Sequence, residues 1–246
     1  MSDTTTVTTA VTTAVMFDLD GTLLDHVGAS DAAVLDAVAE SWLPGRPVAP
    51  DEVLAEWARL EALHMGEYLA GTIDFAEQRR RRLRGLLAAL GDDRPYDDDG
   101  ADAAFTAYLS AYEANWRAFD DVEPTLGALA RLGVPYAVLT NGDRDQQLAK
   151  AATLRLPDGV RVLTPADVGA AKPSATAFTV ACESLGWVRD RVLYVGDNPD
   201  ADARGSRAAG LNACWLNRTD HASPFQPAEG ITEIKRLGEL VGLLRG

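Results

Sequence analysis

Two aspartates, Asp18 and Asp20, follow an apolar, β-branched segment and carry the clearest chemical signal in the sequence. Alternate residues of an extended chain point to the same side, so both carboxylates are expected to face one site. Two carboxylates this close repel each other, and both remain ionised only beside a cation. One can then act as a nucleophile while the other moves a proton. Gly21 allows the chain to turn sharply directly after them.

A second acidic group lies in the segment 196–202 (GDNPDAD), which follows another apolar stretch. Carboxylate oxygens suit Mg²⁺, which keeps several waters and needs few protein ligands. Asp197, next to the end of the predicted strand, is predicted to bind such a metal directly. Asp202 is predicted either to hold a metal-bound water or only to cap the next helix. Asp200 is expected to face solvent.

Two shorter motifs could bind an anion. Thr140, Asn141 and Gly142 combine a hydroxyl with backbone amides at a predicted helix start, which suits a phosphate. Lys172 precedes Pro173, a residue that fits the first turn of a helix, so its ammonium is expected near the helix N-terminus. Each motif alone also fits an ordinary loop or helix start. The inference rests on all four clusters following a predicted strand or preceding a predicted helix, as a site at a sheet edge requires.

The elements that must position these residues alternate between strand and helix along the chain. Strands are predicted at 12–18, 135–140, 191–195 and 212–216, with a weaker one at 160–163. Helices are predicted at 123–132, 144–153, 174–185 and 202–209. This alternation indicates βαβ units and an α/β fold with a doubly wound parallel sheet.

One long region, 26–120, shows no strand pattern. Its clearest helical signal is a stripe of leucines at Leu83, Leu86, Leu87 and Leu90. Further helical stretches are predicted at 32–39, 51–63 and 97–112. We therefore predict a catalytic core of residues 1–25 and 121–246, with an all-helical cap inserted at 26–120. The tail, 224–246, is predicted to hold a loop and a closing amphipathic helix.

Composition limits the classes of function. The net charge of −14 over 246 residues argues against nucleic acid as a partner, because such binders need a basic surface. There is no run of eighteen apolar residues to span a membrane. The first thirteen residues lack the pattern of a secretory signal and are expected to be a frayed end. Cys182 and Cys214 are too few for a disulfide framework and are expected in the core. The prediction is a soluble, cytoplasmic protein.

Taken in chain order, the four clusters resemble the motifs of the haloacid dehalogenase superfamily of hydrolases. The matching residues are 18–25 (DLDGTLLD), 140–142 (TNG), 172–173 (KP), and 196–197 (GD) with Asp202. The resemblance covers about residues 15–218 and is weakest in the helical region. The insertion after the first motif is similar to that of the subfamily with a helical cap. The resemblance implies a Rossmann-like core in which the first strand is central.

The resemblance also implies catalytic roles. Asp18 would be the nucleophile and a metal ligand, and Asp20 the general acid and base, touching the metal through its backbone carbonyl. Lys172 would steady the phosphoryl group against Asp18. The protein would then be an Mg²⁺-dependent phosphatase. It would hydrolyse a small phosphate monoester through an aspartyl-phosphate intermediate, and its partner would be a small phosphorylated metabolite.

The remaining matched residues would bind the substrate and the metal. Thr140 would hydrogen-bond the transferring phosphoryl group, with Asn141 and Gly142 beside it. Asp197 would be the other side-chain ligand of Mg²⁺, and Asp202 would support it.

Three other functions are weighed against this prediction. A 2-haloacid dehalogenase needs no metal, and family members of that kind generally lack an acidic residue at the position of Asp20. A phosphomutase of the same fold would differ mainly in its cap. A non-catalytic binding module is disfavoured, because several unpaired carboxylates around one pocket are unfavourable unless they hold a cation.

The cap is expected to determine which substrate is bound, and its one candidate feature in the sequence is a basic run at 79–84. Arg79 and Arg80 flank the leucine stripe, so either is a candidate to grip the substrate, Arg79 first. Arg81, Arg82 and Arg84 are expected to point further round the helix. The alternative is a solvated face that balances nearby acids. Sugar phosphates, phosphoglycolate and nucleoside monophosphates all remain open as substrates, and the oligomeric state is not predicted.

Overall fold

The predicted apolar segments form five strands of a six-stranded parallel sheet in the computed structural model, which describes residues 12–244. The strands are β1 (Ala14–Phe17), β2 (Tyr136–Leu139), β3 (Val162–Leu163), β4 (Val192–Gly196), β5 (Asn212–Leu216) and β6 (Ile231–Ile234). Their order across the sheet is β3-β2-β1-β4-β5-β6, with β1 between β2 and β4. Both β1 and β4 are buried along their whole length, as strands covered on both faces should be. The predicted α/β fold with a parallel sheet is confirmed.

The direction in which strands are added to the sheet changes beside β1. In the register, Phe17 at the end of β1 lies level with Val138 of β2 and with Val195 of β4. The residues that follow these three strands therefore emerge at one edge of the sheet. In doubly wound sheets, ligands bind beyond the carboxyl ends of the strands at such a reversal of order.

Residues 25–117 form a compact unit of their own that contains helices and no strand. Its helices are α1 (His26–Asp36), continued by a π-helical turn (Ala37–Trp42), α2 (Pro50–Leu69), α3 (Phe75–Ala89) and α4 (Asp98–Ala114). The rings of Trp57 and Tyr108 pack edge to face in its core, with centroids 4.8 Å apart. Helical spacing had predicted this character, although the helices are longer than predicted.

The sheet belongs to the second compact unit, residues 12–24 and 118–244. Its helices are α5 (Val122–Leu132), α6 (Arg144–Thr153), α7 (Pro165–Val168), α8 (Ala175–Leu185), α9 (Gly205–Ala208), which follows a π-helical turn (Pro199–Arg204), and α10 (Leu240–Leu243). Phe178 of α8 packs edge to face on Tyr194 of β4 beneath the site described below. Cys182 and Cys214 are buried, as expected.

The predicted frayed N-terminus, 1–13, lies almost wholly outside the described residues. The prediction for the tail was incomplete: the loop and a short closing helix, α10, are present, but Ile231–Ile234 between them forms the edge strand β6 against β5. Two of the four β6 residues are exposed, so no apolar run marks this strand, and pairing with β5 decides its conformation. No helix within residues 12–244 is long and apolar enough to cross a bilayer.

Candidate active site

Lys172 and Asp18 meet in a buried polar cluster at the end of β1. The Lys172 ammonium donates three hydrogen bonds, to Asp18 Oδ1 (2.6 Å), Tyr194 Oη (2.7 Å) and Asp202 Oδ1 (2.7 Å). Burial lowers the pKa of Lys172. The carboxylates of Asp18 and Asp202 raise this pKa by more than burial lowers it, so it lies above its ordinary value. Lys172 therefore remains a cation at neutral pH.

Three carboxylates converge beside this lysine. One oxygen each of Asp18, Asp197 and Asp202 lies within 4.8 Å of the others. Burial raises the pKa of Asp18 to about 7, although the Lys172 ammonium lowers it. Burial and the charge of Asp18 raise the pKa of Asp197 well above its ordinary value. The raised pKa values indicate that Lys172 alone does not stabilise both Asp18 and Asp197 as carboxylates.

Asn141 holds the loop that carries Lys172. The Asn141 side chain donates to the carbonyl of Lys172 (2.9 Å) and accepts its backbone N–H (2.8 Å). Helix α8 begins only at Ala175, so the prediction that Pro173 lies in its first turn was wrong. Lys172 is positioned by these two hydrogen bonds from the neighbouring loop, and not by a helix N-terminus.

The other residues of that loop lie close by. Thr140 is buried directly after β2, and its backbone N–H bonds the carbonyl of Leu163. Gly142 has φ of +115°, a conformation that side chains rarely adopt. Asp143, ahead of α6, already accepts the N–H of Gln146. An anion at this loop would therefore rely on Thr140 and the loop amides more than on the helix end.

Asp202 is not a helix cap. The residue that caps the turn after β4 is Asn198, whose side chain accepts the N–H groups of Asp200 and Ala201. Asp202 is buried inside the turn, where Oδ1 bonds Lys172 and Oδ2 accepts the N–H of Asn198. The cap-only interpretation is therefore wrong. Asp200 is exposed, as expected.

Asp20 is bound by two residues that the sequence analysis missed. Lys150 Nζ lies 2.9 Å from Oδ1 and 2.8 Å from Oδ2 of Asp20, and Gln147 Nε2 donates to Oδ2 (2.9 Å). Both residues are on α6, more than 120 positions along the chain. The available signal was their spacing of three residues, which places them on one helix face directly after the Thr140 loop.

Glycine is required at two positions around the acidic cluster. Gly21 has φ of +79°, and a Cβ there would lie 2.3 Å from Asp197 Oδ2. A Cβ on Gly196 would lie 2.3 Å from Asp202 Cγ. The backbone of the turn after β1 and of the last residue of β4 thus approaches these carboxylates too closely for a side chain at either position.

The arrangement agrees with comparisons to known proteins. A family model of haloacid dehalogenase-like hydrolases matches residues 12–210. The chain belongs to this family of hydrolases. Its six-stranded parallel sheet with flanking helices is the Rossmann-like fold that the resemblance implied.

Relatives of this hydrolase include enzymes of two chemistries. A ribulose-1,5-bisphosphate 5-phosphatase from Halopiger xanaduensis is 31% identical over 240 residues, which cover 94% of this chain and 99% of the relative. An (S)-2-haloacid dehalogenase from Pseudomonas sp. is 31% identical over 211 residues, covering 83% and 82%. In structure, the magnesium-bound HAD-hydrolase YfnB of Bacillus subtilis superposes with a TM-score of 0.77 over 96% of this chain and 99% of that one. At 23% identity, that likeness shows the fold alone.

The basic run of the hydrolase lies on α3 in the helical unit. The guanidinium of Arg79 lies 4.3 Å from the ring centroid of Phe75. Arg80 bonds Asp98 and Asp102, and its neighbours on the helix surface also pair with acids. The solvated-face interpretation therefore describes most of the run, and the substrate contact of Arg79 stays a prediction.

Arg82 differs from the expectation that it points away from the leucine stripe. It is 5% exposed, lies 4.1 Å from the Trp57 ring centroid and pairs with Glu61 at 3.2 Å. Arg82 precedes Leu86 by four residues, so helical geometry places both on one face. Stacking on Trp57 together with the Glu61 charge makes burial of this guanidinium tolerable.

Proposed function

We propose that this hydrolase is an Mg²⁺-dependent phosphatase that cleaves a small phosphate monoester through an aspartyl-phosphate on Asp18. The proposal assigns nucleophilic attack to Asp18, proton transfer to Asp20 and charge neutralisation to Lys172. The helical unit, residues 26–120 in our prediction, would act as the cap that selects the substrate.

The acidic cluster fits a divalent cation. Asp18 and Asp197 have raised pKa values because they are buried beside other carboxylates, and a cation between them would relieve that repulsion. Carboxylate oxygens are the donors that Mg²⁺ prefers. Asp18 and Asp197 would bind it through their side chains and Asp20 through its backbone carbonyl. Asp202, already bonded to Lys172, would support a metal-bound water. When bound, Mg²⁺ would offset the charge between the nucleophile and the phosphate.

Asp18 can attack through one defined oxygen. Its Oδ1 accepts the hydrogen bond from Lys172, whereas Oδ2 has a long contact of 3.5 Å with the Thr22 hydroxyl. We assign attack on phosphorus to Oδ2. The new O–P bond forms as the ester P–O bond breaks, and Asp20, which must enter this step protonated, gives its proton to the departing alkoxide. Asp20 then takes a proton from water, whose oxygen attacks phosphorus and releases the Asp18 carboxylate and phosphate.

The observation that carries this proposal is an acidic side chain at position 20, held beside the cluster by Lys150 and Gln147. An alkoxide is a strong base and needs a proton to leave, whereas a halide is a very weak base and leaves without one. A general acid two residues after the nucleophile therefore favours phosphate ester chemistry over dehalogenation.

A metal-independent 2-haloacid dehalogenase is the second candidate. It is supported by the 31% identity to the (S)-2-haloacid dehalogenase from Pseudomonas sp.. In that reaction an Asp18 oxygen would displace halide from carbon, and water would then hydrolyse the ester. Asp20 would have no proton to deliver in the first step.

The first experiment is phosphate release from p-nitrophenyl phosphate, with Mg²⁺ and with EDTA. We expect turnover in Mg²⁺, none in EDTA, and none from Asp18→Asn under either condition. Asp200→Asn is the matched control, because Asp200 is 77% exposed and pairs with Arg204 on the surface. It should retain wild-type activity.

Halide release from a 2-haloacid in EDTA, without phosphate release from any ester, would replace the phosphatase proposal with the dehalogenase. Transfer of the phosphoryl group to a second hydroxyl of the substrate would indicate a mutase. The relative from Halopiger xanaduensis is named for ribulose 1,5-bisphosphate, so phosphorylated sugars come first in a substrate panel. Cytoplasmic location and the lack of a nucleic acid partner stay predictions from the sequence.

A further inference from the structure

Helix α6 carries two polar side chains that are almost completely buried, Gln147 and Lys150, each 3% exposed. They are three residues apart, so they lie on the same face of the helix. A buried ammonium is unfavourable unless it is paired, and a buried amide needs hydrogen-bond partners. Both side chains direct their polar groups at the carboxylate of Asp20.

The contacts to Asp20 are short and involve both of its oxygens. Lys150 Nζ lies 2.9 Å from Oδ1 and 2.8 Å from Oδ2, and Gln147 Nε2 lies 2.9 Å from Oδ2. Gln147 Nε2 also donates to the carbonyl of Asn141 at 2.6 Å. The Asp20 carboxylate is therefore tied to α6 and, through Gln147, to the loop that holds Lys172.

Gly142, in the loop after β2, leaves room for the amide of Gln147. A Cβ on Gly142 would lie 2.7 Å from Gln147 Nε2, so a larger residue would displace the amide.

The sequence contains three lysines, and Lys150 and Lys172 are the two that pair with the aspartates of the first motif. A buried ion pair is seldom needed for stability, since apolar residues of similar size serve as well. A positioning role explains why this pair is charged.

We propose that Lys150, assisted by Gln147, is a positioning residue that holds the Asp20 carboxylate for proton transfer to the leaving group. This inference rests on the proposed function, in which Asp20 is the general acid and base. Each carboxylate oxygen has two lone pairs, so an oxygen that accepts one hydrogen bond still has a lone pair for a proton. Oδ2 of Asp20 accepts from both Lys150 and Gln147, so we assign the transferred proton to Oδ1. Proton transfer requires heavy atoms within about 2.6–3.2 Å, which a freely rotating carboxylate meets only part of the time.

The test compares two aryl esters that differ only in a para nitro group, p-nitrophenyl phosphate and phenyl phosphate, in wild type and Lys150→Met. Phenolate is the stronger base and depends more on a proton from Asp20. The ratio kcat/KM reports the steps up to ester cleavage. In Lys150→Met we expect kcat/KM for phenyl phosphate to fall about 100-fold, and that for p-nitrophenyl phosphate about threefold or less. Phosphoenzyme should accumulate with p-nitrophenyl phosphate, because its hydrolysis also needs Asp20.

Two further variants separate positioning from folding. Lys150→Arg keeps the charge and should recover part of the phenyl phosphate activity. Gln147→Leu removes one hydrogen bond to Asp20 together with the bond to the Asn141 carbonyl, and it should show the same preference for the better leaving group, but more weakly. Lys235→Met, on the exposed lysine that pairs with Asp220, is the matched control and should leave both ratios unchanged.

An equal fall of kcat/KM for both esters in Lys150→Met and in Gln147→Leu would overturn the inference, because general damage does not distinguish leaving groups. Wild-type values of kcat/KM for both esters in both variants would overturn the inference as well. Wild-type enzyme that releases phosphate from neither ester would instead overturn the proposed function on which the inference rests.

Discussion

The ammonium of Lys172 lies 2.6 Å from Oδ1 of Asp18, although 154 positions separate the two residues in the chain. This contact joins the loop before α8 to the end of β1. It places a permanent positive charge against the carboxylate that we assign as the nucleophile. The same ammonium bonds Asp202, so a single residue organises two of the three clustered carboxylates.

Replacing Lys172 by methionine should impair both catalysis and folding. Loss of a charge aimed at the reacting group is expected to lower kcat by about 100- to 1,000-fold. Removing one partner of a buried ion pair should reduce the free energy of unfolding by about 3 kcal/mol. Urea denaturation and p-nitrophenyl phosphate turnover measure the two effects. Lys235→Met, at an exposed ion pair, should change neither, and wild-type kcat in Lys172→Met would contradict the assignment.

Gly21→Ala should disturb the metal site through a steric effect. The new Cβ would meet Asp197 Oδ2 at 2.3 Å and displace that carboxylate. We expect the Mg²⁺ concentration for half-maximal activity to rise at least about tenfold. Gly210→Ala is the control, because Gly210 has φ of +88° and open space around it. Both variants carry the backbone cost of about 1–2 kcal/mol, so an equal change in Mg²⁺ dependence would refute the steric explanation.

Asp121 should make a pH-dependent contribution to stability. Partial burial raises its pKa, but hydrogen bonds from Arg218 and from the Leu237 N–H lower it below the ordinary value of 3.8. A carboxylate with a lowered pKa in the folded state stabilises the fold above about pH 4, and this contribution is lost as the pH falls through its folded pKa. Asp121→Asn should therefore unfold more easily than wild type at pH 7, by about 1–2 kcal/mol.

The difference between wild type and Asp121→Asn should shrink as the pH is lowered below about 4, since wild type then loses the same charge. Urea denaturation at a series of pH values measures it. Asp158→Asn, at an exposed loop position, should match wild type throughout. A difference that stays constant with pH would show that the Asp121 charge is not its source.

Arg79→Ala tests whether the helical unit supplies a substrate contact. If Arg79 grips the substrate, its loss should raise KM about tenfold, the effect of one charged hydrogen bond, with a small change in kcat. Arg84→Ala is the control on the same helix, because Arg84 bonds Asp98 and the Tyr96 carbonyl. Equal KM values for Arg79→Ala, Arg84→Ala and wild type would remove Arg79 from the substrate site.

Local pattern was enough to predict most of the elements. The segments that form β1 and β4 are mostly apolar, because both strands are buried on both faces, and such segments can be recognised without tertiary context. β6 was missed, since an edge strand with two exposed residues carries no such run. Pairing with β5 provides its hydrogen bonds, and that pairing depends on residues distant in sequence.

By itself, the sequence determined an α/β fold with acidic motifs at its strand ends, because residue type and local spacing carry that information, and the resemblance of those motifs to a family of hydrolases implied the class of activity. Only the tertiary structure decided how those motifs are held. It brought Lys150 to Asp20 across 130 positions and made Asn141 the support of Lys172. It also buried Arg82 on Trp57. These contacts depend on how strands and helices pack, and no local pattern encodes the distance between side chains that far apart in the chain.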